Sequence, residues 1–338
     1  MSRSLKTNRS ARQFVARMGG VFLGAIALIV ICSFGTAGVA MYLYPNVIYP
    51  IWRKPVTPPA GHERRFQHVD FLSASGAKLV GWYGEGRGGQ GQGAATIVIC
   101  HGWAADKGDM LGLTEALRVS GFDVLLFDLH GWGESARGPV TFGDRETGDI
   151  LGAVHFVKER RPGQARRIGL IGFSMGAAAA IRATAQDLGI DALVADASYA
   201  RLDVQVGRFF QRFAGPLWPV AYVSARWFGE RLTGTAISTI SPVQDIGRIT
   251  PRPVLIIHGT RDRVIDVDDA RQLYYAAGPP RTLWLIEGAG HGETRSLAPA
   301  AQWDARVVAF FREHLQRRAV VRSRDRRGQD GPVSSARP

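Results

Sequence analysis

From about residue 66 to residue 316, short apolar runs alternate with longer amphipathic stretches, which restricts the folds open to the chain. The apolar runs are rich in Val, Ile and Leu and predict strands at 66–72, 78–83, 96–100, 124–127, 168–173, 192–195, 254–258 and 283–286. The amphipathic stretches predict helices at 108–119, 144–159, 175–188, 267–277 and 299–316. Such alternation is typical of a mostly parallel sheet with helices on both faces. We therefore predict one α/β domain over 66–316, with about eight strands and an antiparallel pair at its start.

The segment at about 200–248 does not follow this alternation. We interpret it as a short helical cap inserted over the carboxyl edge of the sheet. It is rich in aromatic residues: Phe209, Phe210, Phe213, Trp218, Tyr222, Trp227 and Phe228. Their side chains either pack the cap together or form a substrate lid or a membrane-contacting surface.

The chain has no charged residue from Met18 to Trp52. At about 1.5 Å per residue, a helix over the most apolar part, 18–44, could cross a hydrocarbon core of about 30 Å. We predict a membrane anchor there, between a basic tail at 1–17 and a linker at 45–65. Five basic residues precede it and only the close pair Arg53 and Lys54 follows, so the positive-inside rule places the N-terminus in the cytoplasm and the domain on the opposite side. The alternative is a signal peptide cleaved near Ala40.

The net charge of +13 is concentrated in the termini, because the tails at 1–17 and 317–338 together supply ten of these charges. We expect solvated basic tails, the C-terminal one disordered, and no nucleic-acid partner. The two cysteines, Cys32 and Cys100, form no disulfide framework. Residues 84–89 fit G-x-G-x-x-G but lead into a strand, and no His or Cys pair has zinc-ligand spacing. We therefore expect neither a cofactor nor a metal.

The segment Gly172-Phe173-Ser174-Met175-Gly176 has the pattern G-x-S-x-G, and it joins a predicted strand to a predicted helix. A serine on such a sharp turn projects its hydroxyl from the edge of the sheet, and the glycines leave room for the strained backbone. Ser174 is therefore the candidate nucleophile.

A serine hydroxyl needs a base at neutral pH, and the base needs an orienting acid. Of the eight histidines, His291 lies in a glycine-rich loop directly after the last predicted strand. Asp262 follows the strand at 254–258, and Asp196 follows the strand at 192–195 as a rival acid. We predict a triad of Ser174, Asp262 and His291. Asp266 is expected to cap the next helix.

Acyl transfer also needs hydrogen-bond donors for the oxyanion. We predict the backbone N–H of Met175, which follows the nucleophile, and that of Trp103, in the loop after the strand at 96–100. His101 is expected to hold this loop in place by hydrogen bonding.

Five motifs together make the chain resemble the α/β-hydrolase-fold serine hydrolases over about 66–315. They lie at 100–103 (CHGW), 128–135 (DLHGWGES), 172–176 (GFSMG), 258–262 (HGTRD) and 290–291 (GH). The chain is most similar to membrane-anchored, single-domain members with a short cap, which include esterases, depalmitoylating thioesterases and serine aminopeptidase-like proteins. Many relatives have arginine and tyrosine at the positions of His130 and Trp132, and a proline at that of Asp266. The resemblance implies the α/β-hydrolase fold, an acyl-enzyme and no cofactor.

From these features we expect a membrane-anchored serine hydrolase that cleaves a small acyl substrate, an ester or thioester in preference to a peptide amide. The anchor and the aromatic cap favour a lipidic substrate. Two other functions stay open, an acyltransferase and a non-catalytic membrane scaffold. The sequence leaves the oligomeric state open.

Overall fold

The computed structural model describes residues 44–49, 65–87, 95–160, 167–298 and 300–316, together with scattered positions from 23 to 42. The predicted tails at 1–17 and 317–338, most of the predicted anchor at 18–44 and most of the linker at 45–65 lie outside the described residues. Within the part of the chain that is described, no helix has both the length and the apolar character to cross a bilayer. The membrane anchor therefore stays a prediction.

One eight-stranded sheet organises the described domain, as the apolar runs predict. Its strands are β1 (Gln67–Leu72), β2 (Lys78–Gly84), β3 (Thr96–Cys100), β4 (Asp123–Phe127), β5 (Ile168–Phe173), β6 (Ala192–Asp196), β7 (Val254–Gly259) and β8 (Arg281–Ile286). They lie in the order β1-β2-β4-β3-β5-β6-β7-β8. β2 pairs antiparallel with β1 and with β4, and all the other pairs are parallel.

Helices cover both faces of this sheet. They are α1 (Leu111–Val119), α2 (Arg145–Glu159), α3 (Met175–Gln186), α4 (Leu202–Phe213), α5 (Trp218–Thr233), α6 (Pro242–Asp245), α7 (Val267–Ala276), α8 (Thr294–Leu297) and α9 (Ala300–Phe311). On β3, Val98 and Cys100 pack in the cluster that includes α2, α3 and α7, whereas Ile97 and Ile99 pack in the cluster that includes α1 and α9. Because both faces of the central strands are buried, these strands appear in the sequence as continuous apolar runs.

The residues between β6 and β7 are largely helical, as predicted for the cap. α4 and α5 are joined by a short 3-10 turn at Gly215–Leu217, and α6 with further short turns leads to β7. Of the cap's aromatic side chains, Phe210 is buried, but Phe209, Phe213 and Trp227 are 45%, 68% and 49% exposed. Packing of the cap therefore accounts for only some of them.

The topology determines which loops meet. β5, β6, β7 and β8 are parallel neighbours, so their carboxyl ends lie at one edge of the sheet. The loops after β5, β7 and β8 carry Ser174, Asp262 and His291.

Candidate active site

Ser174 occupies the sharp turn between β5 and α3 and has a backbone φ of 53° and ψ of −117°. This left-handed conformation is costly for a residue other than glycine and is concentrated at functional sites. A Cβ on Gly172 would overlap the backbone of Gly176 and Ala177, and one on Gly176 would overlap the carbonyl oxygen of His101. Both motif positions therefore require glycine for the turn to pack against the sheet.

The structure brings Ser174, His291 and Asp262 together, although they are far apart in the chain. His291 Nε2 lies 3.1 Å from Ser174 Oγ, and His291 Nδ1 lies 2.7 Å from Asp262 Oδ2. The ring of Phe173 lies 5.1 Å from that of His291, centroid to centroid, and supports the imidazole from the side. The imidazole thus bridges a hydroxyl and a carboxylate in the arrangement that general-base activation of a serine requires.

Asp262 is held as an anion in this arrangement. Its Oδ1 accepts the backbone N–H groups of Val264 and Ile265 at 2.8 and 2.9 Å. Burial by itself would raise the pKa of Asp262, but the hydrogen bond and charge of His291 and these two N–H groups outweigh burial and lower that pKa. A carboxylate so stabilised can hold the imidazole in one tautomer and stabilise an imidazolium.

Asp196, the rival acid, forms its hydrogen bond elsewhere. It accepts a hydrogen bond from Thr294 Oγ1 at 2.6 Å, and its own carbonyl oxygen accepts the N–H of Ser174 at 2.8 Å. Burial raises the pKa of Asp196 to about 7, against the opposing effect of the Thr294 hydrogen bond. Asp266 accepts the N–H of Asp268 at the start of α7, which confirms its predicted capping role.

The loop after β3 lies against the nucleophile, since a Cβ on Gly102 would lie 3.2 Å from Ser174 Cβ. His101 holds this loop as expected. Its Nδ1 bonds to the Gly102 carbonyl oxygen at 2.7 Å, and its Nε2 accepts the N–H of Leu129 at 3.0 Å. Burial lowers the pKa of His101, which suits a neutral structural imidazole. Met175 is the first residue of α3. The two oxyanion donors, Met175 and Trp103, stay a prediction.

Sequence reasoning missed a buried ion pair that supports this loop. The ammonium of Lys107, 1% exposed, lies 2.6 Å from Asp128 Oδ2 and 2.6 Å from Glu134 Oε2. Asp128 also accepts the N–H groups of Lys107 and Glu134, both at 2.9 Å. The loops after β3 and β4 are thereby fixed to each other. Asp128 and Glu134 belong to the DLHGWGES motif, but nothing near Lys107 in the sequence marks it as buried.

His130, another residue of that motif, supports the loop after β4 and lies outside the proposed triad. Its Nδ1 bonds to Asp149 Oδ2 at 2.6 Å, and its Nε2 to the carbonyl oxygen of Pro139 at 2.9 Å. Burial by itself would lower the pKa of His130, but the hydrogen bond and charge of Asp149 raise it to about 9.

A cavity of about 360 Å³ opens beside the nucleophile turn. Its lining includes Phe173, Asp196, Gly292, Thr294 and Trp303. Phe173 and Gly292 in this lining are the chain neighbours of Ser174 and His291.

The family model described as "Serine aminopeptidase, S33" matches residues 91–245 of the chain, which include Ser174. The esterase Pf2001 of Pyrococcus furiosus has a similar structure, with a TM-score of 0.64 and 26% sequence identity over 79% of this chain and 98% of the esterase. The chain has the α/β-hydrolase fold. A protein of Pseudomonas aeruginosa, PA2218, shares the fold at a TM-score of 0.57 and 22% identity, over 80% of this chain and 100% of that one.

Among curated proteins, two uncharacterised bacterial relatives are similar to this chain. YqkD of Bacillus subtilis is 30% identical over 200 residues, which are 58% of this chain and 64% of YqkD, so the chain spans less than two thirds of that relative. YfhR of Escherichia coli K12 is 27% identical over 257 residues, 74% of this chain and 82% of YfhR.

Within the described residues, no group of His, Cys, Asp or Glu could hold a metal ion.

Proposed function

We propose that this α/β hydrolase is a serine hydrolase that cleaves a carboxylic ester or thioester through Ser174, His291 and Asp262. The observation that carries the proposal is the bridging imidazole, 3.1 Å from the Ser174 hydroxyl and 2.7 Å from the Asp262 carboxylate. The strained backbone at Ser174 and the lowered pKa of Asp262 support it.

In the proposed mechanism, Ser174 Oγ attacks the acyl carbonyl carbon while its proton passes to His291 Nε2. Asp262, hydrogen-bonded to Nδ1, stabilises the imidazolium that forms. The N–H groups of Met175 and Trp103 bind the oxyanion, each donor being worth about 2.7–4 kcal/mol in known oxyanion holes. His291 then protonates the leaving alcohol or thiol as the tetrahedral intermediate collapses to the acyl-enzyme. Water, deprotonated by His291, releases the acid and restores Ser174.

The preference for esters has two supports. The esterase Pf2001 is 26% identical and is covered over 98% of its length. The cavity beside Phe173 is bordered largely by apolar surface, which suits an acyl chain or an alcohol of modest size. We further propose that residues 18–44 anchor the enzyme in a membrane, with the domain on the side opposite the cytoplasm. Its substrates would then be acylated or lipidic molecules at the membrane surface.

The test is covalent labelling of the full chain with a fluorophosphonate, combined with hydrolysis of a panel of acyl esters of increasing chain length, thioesters and aminoacyl amides. We expect labelling and ester turnover in the parent chain. Ser174→Ala should abolish labelling and lower kcat by about 10⁴–10⁶-fold, because no other group supplies the nucleophile. Ser238→Ala, which changes an exposed serine of the cap, is the matched control and should leave both unchanged. Undiminished turnover in Ser174→Ala would refute the proposal.

A further inference from the structure

The hairpin formed by α4, α5 and their connecting turn carries an exposed apolar surface at its end. We call this surface the cap tip and define it by side chains that are 40–68% exposed: Phe209, Phe213, Leu217, Val220, Val223 and Trp227. The ring of Phe209 contacts that of Phe213 at a centroid distance of 4.9 Å, so part of the tip is continuous. On α5, positions 220, 223 and 227 follow helical spacing and share one face. Soluble monomers rarely leave a cluster of this kind in water.

Basic side chains outnumber acidic ones around the cap tip: residues 201–233 hold five arginines against Asp203 and Glu230. Arg208 and Arg226 form ion pairs with Asp269 and Glu230, whereas Arg212 and Arg231 lie against exposed rings. The guanidinium of Arg212 lies 5.7 Å from the ring centroid of Phe213, and that of Arg231 lies 4.3 Å from that of Trp227. Aromatic rings flanked by arginine are characteristic of protein surfaces at the lipid headgroup level, where the ring enters the acyl boundary and the cation stays among phosphates.

The cap tip is held in place by the domain beneath it. Gln205 Nε2 donates to the carbonyl oxygen of Val264 at 2.7 Å, and Arg212 Nη1 donates to that of Arg263 at 2.7 Å. An ion pair joins Arg208 to Asp269. These contacts fix α4 to the loop that follows Asp262, so the exposed rings are presented on a fixed support.

The end of the apolar N-terminal segment lies next to the same hairpin. The helical turn Tyr44–Ile48 packs against α5. The carbonyl oxygen of Val47 accepts a hydrogen bond from Trp103 Nε1 at 3.2 Å, and that of Ile48 accepts the N–H of Val140 at 2.8 Å. The point at which the predicted anchor ends is thus continuous with the hairpin that carries the cap tip.

We propose that the cap tip inserts into the surface of a bilayer that contains anionic lipid. The apolar rings and aliphatic side chains enter the acyl boundary, and Arg212 and Arg231 bind headgroup phosphates. This contact goes beyond the hydrolytic activity, and it would place the cap and the loop of Asp262 at the membrane surface.

The experiment measures the depth of single positions in the full chain, reconstituted in phosphatidylcholine vesicles with or without phosphatidylglycerol. Cys32 is replaced by serine, Cys100 is buried, and an NBD fluorophore is attached at Leu217→Cys. Leu188→Cys is the matched control. Leu188 is 83% exposed and Leu217 is 64% exposed, but Leu188 precedes β6 and lies toward the opposite edge of the sheet. The quenchers are doxyl-labelled lipid, which acts from within the bilayer, and iodide, which acts from water.

We expect doxyl lipid to quench most of the NBD emission at position 217 and little of it at position 188. The quenching at position 217 should be weaker when anionic lipid is left out or when salt is raised. Quenching at 217 by iodide alone would show a tip in water and overturn the proposal. Protection at 217 from both quenchers would show a protein cover, such as a second copy of the chain, and would equally overturn it. The measurement needs no substrate, so it is independent of the proposed hydrolysis.

A second measurement links the contact to turnover. Phe213→Ser with Leu217→Ser should lower hydrolysis of a bilayer-embedded ester by about tenfold or more, since two large apolar side chains leave the lipid. Hydrolysis of a water-soluble short-chain ester should stay unchanged, which shows that the variant is folded. Leu188→Ser is the control for the loss of an exposed leucine. Equal losses on both substrates would contradict the contact.

Discussion

Two carboxylates, Asp196 and Asp262, lie near the carboxyl edge of the sheet, and only Asp262 hydrogen-bonds to His291, at 2.7 Å. Asp262→Asn should therefore lower kcat by about 10⁴-fold, because an amide in this position favours the wrong imidazole tautomer. The measurement is steady-state hydrolysis of the best ester of the panel, with fluorophosphonate labelling as a second readout.

Asp196→Asn provides the control for this prediction and should retain kcat within severalfold.

Because burial raises the pKa of Asp196 to about 7, the folded chain holds a proton that the unfolded chain loses above pH about 4. This group therefore lowers the free energy of unfolding as pH rises from about 4 to about 7, by up to roughly 4 kcal/mol. Urea unfolding should show Asp196→Asn gaining stability over the parent at pH 8 but not at pH 4. Loss of activity in Asp196→Asn with retention in Asp262→Asn would reverse the two roles.

At the scale of elements, the loop between β3 and α1 is held by the buried pair of Lys107 and Asp128. Lys107→Met should lower the free energy of unfolding by about 3–5 kcal/mol, because it leaves a fully buried carboxylate without its cation. Lys78→Met removes an exposed pair, Lys78 with Asp70 at 2.8 Å, and should cost less than about 1 kcal/mol. Urea unfolding compares the two. In Lys107→Met, kcat should also fall, since the same loop lies against Ser174. Equal losses of stability in Lys107→Met and Lys78→Met would contradict this prediction.

The elements also show how far the sequence predicts the structure. All eight strands were predictable, and the central ones were clearest because burial on both faces makes them continuous apolar runs. The eighth begins at Arg281, two residues earlier than predicted, because this edge strand is only partly covered and starts with polar residues. Chain position after β5, β7 and β8 was sufficient to bring Ser174, Asp262 and His291 together. The pairing of Lys107 with Asp128 depends on tertiary packing and has no local pattern, and neither does the outward orientation of the cap's aromatic rings.

At the scale of the whole molecule, charge and apolar surface are arranged in a way that suits a membrane. The basic tails supply most of the net charge of +13, an uncharged segment separates the first tail from the domain, and the cap tip adds apolar side chains with arginines around them. An anchor at 18–44 would hold the chain at the bilayer and so raise the effective concentration of the cap tip at the membrane surface.

The orientation of the chain is the last prediction. With five basic residues before 18–44 and a single close pair, Arg53 and Lys54, after it, the N-terminus should stay in the cytoplasm. In intact cells we expect a C-terminal tag to be open to protease added outside the cytoplasm, and the chain to resist extraction by alkaline carbonate. Replacing the five N-terminal basic residues with glutamine should give a mixture of orientations, because the charge difference then reverses. A mature chain whose mass shows cleavage near Ala40, or a chain that carbonate releases, would contradict the anchor and favour a signal peptide. The cap tip would then be the membrane contact left to the described domain.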